Sequence, residues 1–407
     1  MKQAALLIIC LFLLIYVLPL GSRPMVVPDE SRYSEIPREM VASGDWVVPR
    51  LNGLRYFEKP VLGYWLVAAS IKLFGENAFA TRLPSALAAG LSALLVYLMV
   101  RRGGGERVFA LLSAAVLLTS MMFFGLGVYN VLDGPVSFFL TATLAFFFFA
   151  YTAPGRRAQA LWLLAAGAAC GFAFMTKGFL AFAVAGAAIA PFLLWDRRWK
   201  SLFTLPWLPA LAVLIVSIPW CIAIHLREPD YWHYFFWIEH IRRFTSETPQ
   251  HPEPFWYFIP VVLAAVLPWT FLLPAAGLGL RRARPFSPLL RYATAAFLGP
   301  FLFFSASAGK LATYILPCLP PLAILIAAGI SGCLDHPRAR SFRAGAWISA
   351  LVAAILAVGI VLLQNTDISG VTKPFMEQES WKWMLIGLAF GIWAISAALS
   401  ALARTRG

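Results

Sequence analysis

The sequence contains few charged residues for its length. Lys, Arg, Asp and Glu make up 13% of the 407 residues, whereas hydrophobic residues make up 60%. A soluble domain carries about 25% charged residues, so this composition excludes a large soluble domain. The many long apolar runs instead predict an all-α, polytopic membrane protein.

Cysteine and nucleotide-binding motifs are also scarce. The five cysteines stand singly, mostly inside apolar runs, and show neither metal-ligand spacing nor a disulfide framework. The sequence has no Walker loop and no dinucleotide fingerprint. The net charge of +14 is spread through the loops between apolar runs. Membrane topology therefore explains it better than nucleic-acid binding, and we expect no nucleic-acid partner.

The apolar runs predict about twelve transmembrane helices in one domain that covers residues 1–407. We place them at 4–21, 82–100, 107–124, 134–152, 159–175, 178–195, 205–224, 256–279, 289–305, 312–331, 345–363 and 382–402. The first run could also be a signal peptide, but it lacks a small-residue cleavage site and is interpreted as a retained span.

The loops between these spans alternate in charge. One set holds 18 of the 33 basic residues but only three of the 19 acidic residues. The positive-inside rule places this set, and both termini, in the cytoplasm. Two long loops then lie outside, at 22–81 and 225–255. Within the first, we expect a short helix at 31–41 and an interfacial helix at 60–74.

The first external loop carries two adjacent carboxylates, Asp29 and Glu30, directly after Pro28. This position predicts a turn. Partial burial would raise the pKa of one carboxyl group, as in a general base. Two alternatives stay open: both acids are solvated, or Asp29 caps the helix that follows.

Other charged residues occupy the same predicted face. Asp133 lies at the start of a predicted span. It is either a functional carboxylate or a cap of the helix that follows. Lys177 lies in a very short turn and either enters an external cavity or extends along the membrane surface. Lys310 and Tyr314 are four residues apart and would share a helical face.

The second long loop combines aromatic residues with charge. If it is helical, Glu239, Arg242 and Arg243 share one face, and a stripe of Trp232, Phe235, Phe236 and Ile238 faces the membrane. The alternative to a functional charged face is an ordinary amphipathic helix on the membrane surface. His240, with an acid such as Glu58, is a weak pattern for a metal site.

Several sequence blocks, in order, resemble the bacterial aminoarabinose transferases, which are GT-C membrane glycosyltransferases related to protein O-mannosyltransferases. The blocks are DESRYSEI at 29–36, GDWVVPR at 44–50, GLRYFEKPV at 53–61, VLDGP at 131–135, TKGFLA at 176–181, YWHYFFWIEHIRRF at 231–244, HPEPFWY at 251–257 and GKLATYILPC at 309–318. The resemblance covers roughly residues 1–330.

The resemblance implies a GT-C bundle in the bacterial inner membrane with a periplasmic active site. The expected donor is a sugar on undecaprenyl phosphate, and the expected acceptor is lipid A or another envelope glycan. The implied catalytic residues are Asp29, Asp133 and Glu30. Donor and phosphate contacts fall to Arg32, Tyr33, Tyr56, Lys59, Lys177, Arg242, Arg243, Lys310 and Tyr314. Glu58 and His240 are expected to hold a divalent metal, if one binds.

Typical members of that family continue into an external soluble domain, and none is expected here. A different acceptor is therefore open, as is a polyprenyl-phosphate-dependent mannosyl- or hexosyltransferase that acts on protein or on another glycan. A lipid flippase is the alternative from another class. It would need polar residues along both membrane faces, whereas the conspicuous polar residues lie on the external side.

Overall fold

The fold is known from a computed structural model that describes residues 2–242, 251–334, 340–366, 379 and 381–403. Within these ranges the chain is almost entirely helical. The described sheet is one antiparallel hairpin, β1 (Arg50–Leu51) with β2 (Leu54–Arg55). Its turn residues Asn52 and Gly53 both have positive φ angles, 52° and 76°, as a tight two-residue hairpin requires.

The described ranges contain α-helices, π-helices and 3₁₀-helices. The α-helices are α1 (Lys2–Phe12), α2 (Asp29–Ser43), α3 (Leu62–Phe74), α4 (Ala78–Arg102), α5 (Arg107–Thr119), α6 (Met121–Gly127), α7 (Asp133–Tyr151), α8 (Arg156–Lys177), α9 (Leu180–Trp195), α10 (Ser201–Thr204), α11 (Trp207–Arg227), α12 (Phe258–Ala265), α13 (Leu273–Arg282), α14 (Pro288–Ala306), α15 (Leu319–Leu334), α16 (Arg340–Asn365) and α17 (Trp381–Ala403). The described ranges also contain two π-helices (Leu13–Val17, His233–Arg242) and three 3₁₀-helices (Leu18–Gly21, Trp269–Leu272, Ala312–Cys318).

Eight helices in the described ranges are long and apolar enough to cross a membrane, and the number rises to ten if each of two bent pairs is one span. Ala5–Gly21 and Leu180–Trp195 are shorter apolar helices. Each of the twelve predicted spans coincides with one of these segments. The prediction of an all-α, multi-pass membrane protein is therefore confirmed.

Two predicted spans are interrupted. The span at 107–124 is the pair α5 and α6, bent by 67° at Ser120, whose backbone is extended. The span at 256–279 is interrupted after α12, where Pro268 precedes a 3₁₀ turn. Proline disfavours helical geometry in the residue before it and lacks the N–H that an α-helix needs.

The chain divides into two compact units, one of residues 1–267 with 285–325 and one of residues 268–284 with 326–407. The first unit has a large apolar core that includes Ile36, Leu140, Phe174 and Trp220. In the second unit, α16 packs along α17, and the Trp393 indole N–H donates to Ser349 Oγ at 2.9 Å.

The helices predicted inside the first external loop are present. The expected helix at 31–41 is the longer α2, which begins at Asp29 and ends where Gly44 adopts a left-handed conformation with φ 73°. The expected helix at 60–74 is α3, which packs against α2 and α4. The loop is therefore an ordered part of the first unit.

The close packing of α8 on α11 yields a stability prediction. A Cβ atom on Gly167 would lie 2.2 Å from the carbonyl oxygen of Pro209, whereas one on Gly186 would meet nothing within 4 Å. Gly167→Ala should lower the free energy of unfolding by about 1–3 kcal/mol, because a backbone must move. Gly186→Ala should be neutral or stabilising. Thermal midpoints in detergent compare the two, and equal midpoints would contradict the packing.

Candidate active site

A buried ion-pair network holds the start of α2 in place. Glu30 is completely inaccessible to solvent. Its carboxylate accepts hydrogen bonds from Arg82 (Nε at 2.7 Å, Nη2 at 2.8 Å) and Arg23 (Nη1 at 2.7 Å, Nη2 at 3.1 Å). The backbone amides of Val26 and Asn130 also donate to it, at 2.9 and 3.0 Å. We call Glu30 with these two arginines the Glu30 anchor.

The anchor overturns one prediction about the adjacent acids. Burial would raise the pKa of Glu30, but the hydrogen bonds from Arg82, Arg23 and the two amides outweigh it and lower the pKa from 4.5 to about 2. The prediction of a raised carboxyl pKa in this pair is therefore wrong for Glu30. Both its oxygens are occupied by donors, so the geometry favours an anchoring role for Glu30 over the catalytic one predicted.

Asp29 has a different environment from its neighbour. It is the first residue of α2, and Pro28 occupies the capping position without a side-chain hydrogen bond. The Asp29 side chain is 47% exposed, and its Oδ1 accepts a hydrogen bond of 2.7 Å from Arg32 Nη2. The capping alternative is thus ruled out, and Asp29 presents a carboxylate at an open surface beside a fixed guanidinium.

The second predicted carboxylate, Asp133, also begins a helix. Leu132 occupies the capping position of α7, and Asp133 Oδ1 instead accepts a hydrogen bond of 2.8 Å from Lys177 Nζ at the end of α8. Both charges suit the partial charges of the helix ends that carry them. The Lys177 ammonium also lies 5.7 Å from the ring centre of Tyr314. The alternatives of a helix cap and of a lysine extended along the membrane therefore fail.

Tyr33 shows that these groups approach one another. Burial raises the pKa of Tyr33; the charge of Arg32 opposes this rise, and the charges of Asp133, Glu58 and Asp29 add to it. Carboxylates from three separate segments thus act on one phenol. The Arg32 guanidinium lies 4.9 Å from the Tyr33 ring centre, which places a cation among them.

The segment from Tyr56 to Lys59 carries Glu58, one of the carboxylates that act on Tyr33. The Tyr56 hydroxyl donates a hydrogen bond of 2.7 Å to Glu58 Oε2. Lys59 Nζ donates to the Glu58 carbonyl oxygen at 2.9 Å and to Glu239 Oε2, on the π-helix, at 3.3 Å. The Lys59 side chain is only 16% exposed. Two segments that are distant in the sequence therefore meet at this lysine.

A glycine lets α3 approach the two helix ends that carry Asp133 and Lys177. A Cβ atom on Gly63 would lie 2.3 Å from the Leu132 side chain and 3.6 Å from that of Thr176. These neighbours immediately precede Asp133 and Lys177 in the chain. Only glycine fits at this distance without a shift, so Gly63 brings the external loop against the ion pair.

Lys310 does not lie where the sequence predicted. Residues 309–311 are extended, and the helix at Ala312–Cys318 begins afterwards, so Lys310 and Tyr314 share no helical face. Lys310 is 3% exposed, and its ammonium donates to the carbonyl oxygens of Glu253 (2.7 Å) and Ser307 (2.5 Å). These bonds join two loops, which favours a structural role over the predicted phosphate contact.

The second long loop is only partly described. It contains the π-helix His233–Arg242, in which side chains do not follow the α-helical spacing assumed above. Phe235 is accordingly buried in the core instead of facing the membrane. The side chains of His240 and Arg242, and all of Arg243, lie outside the described residues. Among described residues, no group of three metal-ligating side chains occurs.

The sequence interpretation missed the partners of Glu30. Arg82 is completely buried, although it stands at the start of an apolar span. An ionisable residue in such a position is a signal of function or of a buried pair. Arg23 and Asn130 gave no comparable signal, because each is recognisable only once the fold brings it to the carboxylate.

The chain is similar to known membrane glycosyltransferases. The family described as dolichyl-phosphate-mannose-protein mannosyltransferase matches residues 3–235. Two curated relatives are named undecaprenyl phosphate-alpha-4-amino-4-deoxy-L-arabinose arabinosyl transferase. The one from Shewanella sediminis is 42% identical over 97% of this chain and 71% of its own length. The one from Aeromonas salmonicida is 45% identical over 94% of this chain and 70% of its own length.

Solved structures agree with this similarity. The fold matches ArnT from Cupriavidus metallidurans bound to undecaprenyl phosphate with a TM-score of 0.85 and 30% identity, over 100% of this chain and 73% of that one. An oligosaccharyltransferase from Archaeoglobus fulgidus matches with a TM-score of 0.56 and 14% identity, over 99% of this chain and 55% of that one. The second match, at 14% identity, is evidence for the fold alone.

The Glu30 anchor predicts acid sensitivity. Because folding lowers the Glu30 pKa from 4.5 to about 2, the anchor stabilises the fold above pH 4.5, by on the order of 3 kcal/mol. This contribution is lost as the pH falls from 4.5 towards 2. In Glu30→Gln the free energy of unfolding should be lower at neutral pH, and the loss of stability between pH 4.5 and pH 2 should be absent. The control is Glu35→Gln, which removes an exposed ion pair with Arg38. This control should still lose stability in acid as the parent does. Thermal midpoints between pH 7 and pH 3 measure both, and identical profiles in all three proteins would refute the anchor.

Proposed function

This chain belongs to the aminoarabinose transferase family of GT-C membrane glycosyltransferases, and we propose that it transfers 4-amino-4-deoxy-L-arabinose from undecaprenyl phosphate to an envelope lipid. The preferred acceptor is a phosphate of lipid A. The observation that carries this proposal is the meeting of Asp29, Glu58 and Asp133 around Tyr33, with Arg32, Lys59 and Lys177 beside them.

The cations suit a lipid phosphate better than a neutral substrate. Lysine binds a phosphate as a point charge, and arginine can bind it with two parallel hydrogen bonds. Lys59 and Lys177 already neutralise Glu239 and Asp133, so their ammonium groups are held in fixed positions. We propose that Lys59 and Arg32 bind the donor phosphate, with Tyr56 beside them. Lys177, which lies next to Tyr314, would add a further positive charge near the phosphate. Arg242, Arg243 and Lys310 are secondary candidates for phosphate contacts.

The chemistry needs charge stabilisation more than it needs an acid. The leaving group is a phosphate, which departs as an anion and is stabilised by fixed cations. A phosphate acceptor is already anionic, so Asp29 would orient it, take a residual proton or stabilise positive charge on the sugar ring. A hydroxyl acceptor would make Asp29 a general base. One in-line displacement at the anomeric carbon inverts its configuration in either case.

We place this reaction at the periplasmic face of the inner membrane, a placement that the charge distribution of the loops supports. In the predicted topology, the basic loops between the spans lie on the side opposite to Asp29 and Lys59, and the positive-inside rule favours the cytoplasm for that side. Both termini would then be cytoplasmic. Membrane lipids surround the apolar helices. A divalent metal would be held by Glu58 and His240, where it would add positive charge near the donor phosphate.

Transfer by the purified chain tests the proposal. The chain in nanodiscs receives undecaprenyl phosphate-linked aminoarabinose and lipid A, and mass spectrometry follows lipid A. The expected product carries one additional aminoarabinose, and reactions without donor should show none. A parallel reaction offers a mannose-linked polyprenyl phosphate with peptide acceptors, because the matching family profile is described as a protein mannosyltransferase. Mannose transfer without aminoarabinose transfer would refute the proposed donor.

Asp29→Asn should reduce the transfer rate by at least a hundredfold, because the amide keeps the size of the carboxylate but loses its charge. Binding of undecaprenyl phosphate should change little. Glu35→Gln, on the same helix but in an exposed ion pair with Arg38, should keep the parental rate. Initial rates and thermal midpoints are measured together. A fully active Asp29→Asn protein would remove Asp29 from the mechanism.

Lys59→Ala should weaken binding of undecaprenyl phosphate by about ten- to a hundredfold, which is the value of one charged hydrogen bond. Lys72→Ala is the matched control, because Lys72 is an exposed lysine that lies 5.6 Å from the Trp46 ring centre. A fluorescent or radiolabelled lipid gives the dissociation constants. Equal weakening in both variants would show that general positive charge, and not Lys59, attracts the lipid.

A further inference from the structure

Tyr64 occupies the centre of three tyrosines from separate segments. It lies in α3 and is completely buried. Its ring stacks on that of Tyr33, with centroids 6.3 Å apart and 23° between planes, and meets the edge of Tyr56 at 6.5 Å and 82°. We call these three residues the tyrosine cluster. Tyr64 thus contacts both the helix that carries Arg32 and the segment that carries Lys59.

The hydroxyl of Tyr64 is sealed from solvent and has no hydrogen-bond partner among the described residues. Leaving such a group unpaired costs about 1–3 kcal/mol, and nearly all buried polar groups in folded proteins have a protein or water partner. A phenylalanine would fill the same space without this cost. The hydroxyl therefore requires a partner that is not a described protein group.

The surroundings of this hydroxyl are polar enough to hold water. Tyr33, Tyr56, Glu58 and Tyr231 all lie near enough to Tyr64 to act on it electrostatically. A buried water molecule needs two to four hydrogen-bond partners, and these groups carry the hydroxyl and carboxylate oxygens that such bonds use. Tyr56 itself donates to Glu58, so water bound at Tyr64 would adjoin a hydrogen bond that fixes the segment preceding Lys59.

We propose that Tyr64 is a positioning residue of the donor site, whose hydroxyl holds an internal water molecule against the Tyr56–Glu58 hydrogen bond. This water fixes the backbone from Tyr56 to Lys59 and so places the Lys59 ammonium for a polyprenyl phosphate. The inference rests on the proposed function for the identity of the lipid, but not for that of the sugar or the acceptor.

The chain offers a matched control on the same helix. Ser70 also lies in α3, is 6% exposed and has a buried hydroxyl with no partner among the described residues. It lies six residues after Tyr64 and directly before Ile71, which belongs with Val67 and Ala80 to a separate apolar cluster. Ser70→Ala and Tyr64→Phe therefore each remove one buried hydroxyl, but only the second removes it from the site.

The test measures binding of undecaprenyl phosphate alone to the full chain in detergent, together with thermal midpoints. Tyr64→Phe should weaken binding about tenfold without lowering the midpoint, whereas Ser70→Ala should leave binding unchanged and should not lower the midpoint either. The double variant of Tyr56→Phe and Tyr64→Phe should bind no more weakly than the weaker single variant, because both changes disrupt one network.

Three results would overturn the proposal: parental binding by Tyr64→Phe, a collapsed midpoint in that variant, or additive losses in the double variant. Aminoarabinose transfer by the parent protein is measured separately. If the parent binds undecaprenyl phosphate but transfers no aminoarabinose, the proposed function fails while the role of Tyr64 stands. If the parent transfers the sugar and Tyr64→Phe binds the lipid normally, only the role of Tyr64 fails.

Discussion

The buried pairing of Glu30 with Arg82 and Arg23 is the interaction on which the site depends. A carboxylate without solvent contact is tolerated only when opposite charges and hydrogen bonds compensate its lost hydration, and here six donors do so. The donors come from the segment before α2, from α4 and from the loop before α7. One side chain therefore fixes three separate parts of the chain at once.

This anchor explains how two distant acids reach one site. Asp29 is the immediate neighbour of Glu30, and Asp133 follows three residues after Asn130, whose amide donates to the Glu30 carboxylate at 3.0 Å. The close approach at Gly63 then sets α3 against the residues that precede Asp133 and Lys177. Lys59, in turn, is fixed by Glu239 of the π-helix. Charged groups from four separate segments are thus arranged before any substrate arrives, which is the arrangement that electrostatic stabilisation of a leaving phosphate requires.

Periodicity and local chemistry predicted most of the fold but only part of the site. Long apolar runs located each span, because burial in lipid requires them whatever the tertiary contacts are. Helix ends were predictable at Asp29, Asp133 and Lys177. The roles of Glu30 and Lys310 were not predictable. The partners of Glu30 include an arginine 52 residues away, and those of Lys310 are two backbone carbonyl groups. The α-helical spacing assumed for the second long loop failed because that segment is a π-helix.

The central claim is that preset cations of the external segments hold the phosphate of a polyprenyl donor beside Asp29. A structure of the full chain with undecaprenyl phosphate bound tests this claim most directly. The account predicts phosphate density in contact with Lys59 and Arg32, on the same side as the Asp29 carboxylate. Phosphate density at the basic loops of the opposite face, with Lys59 still bound only to Glu239, would contradict it.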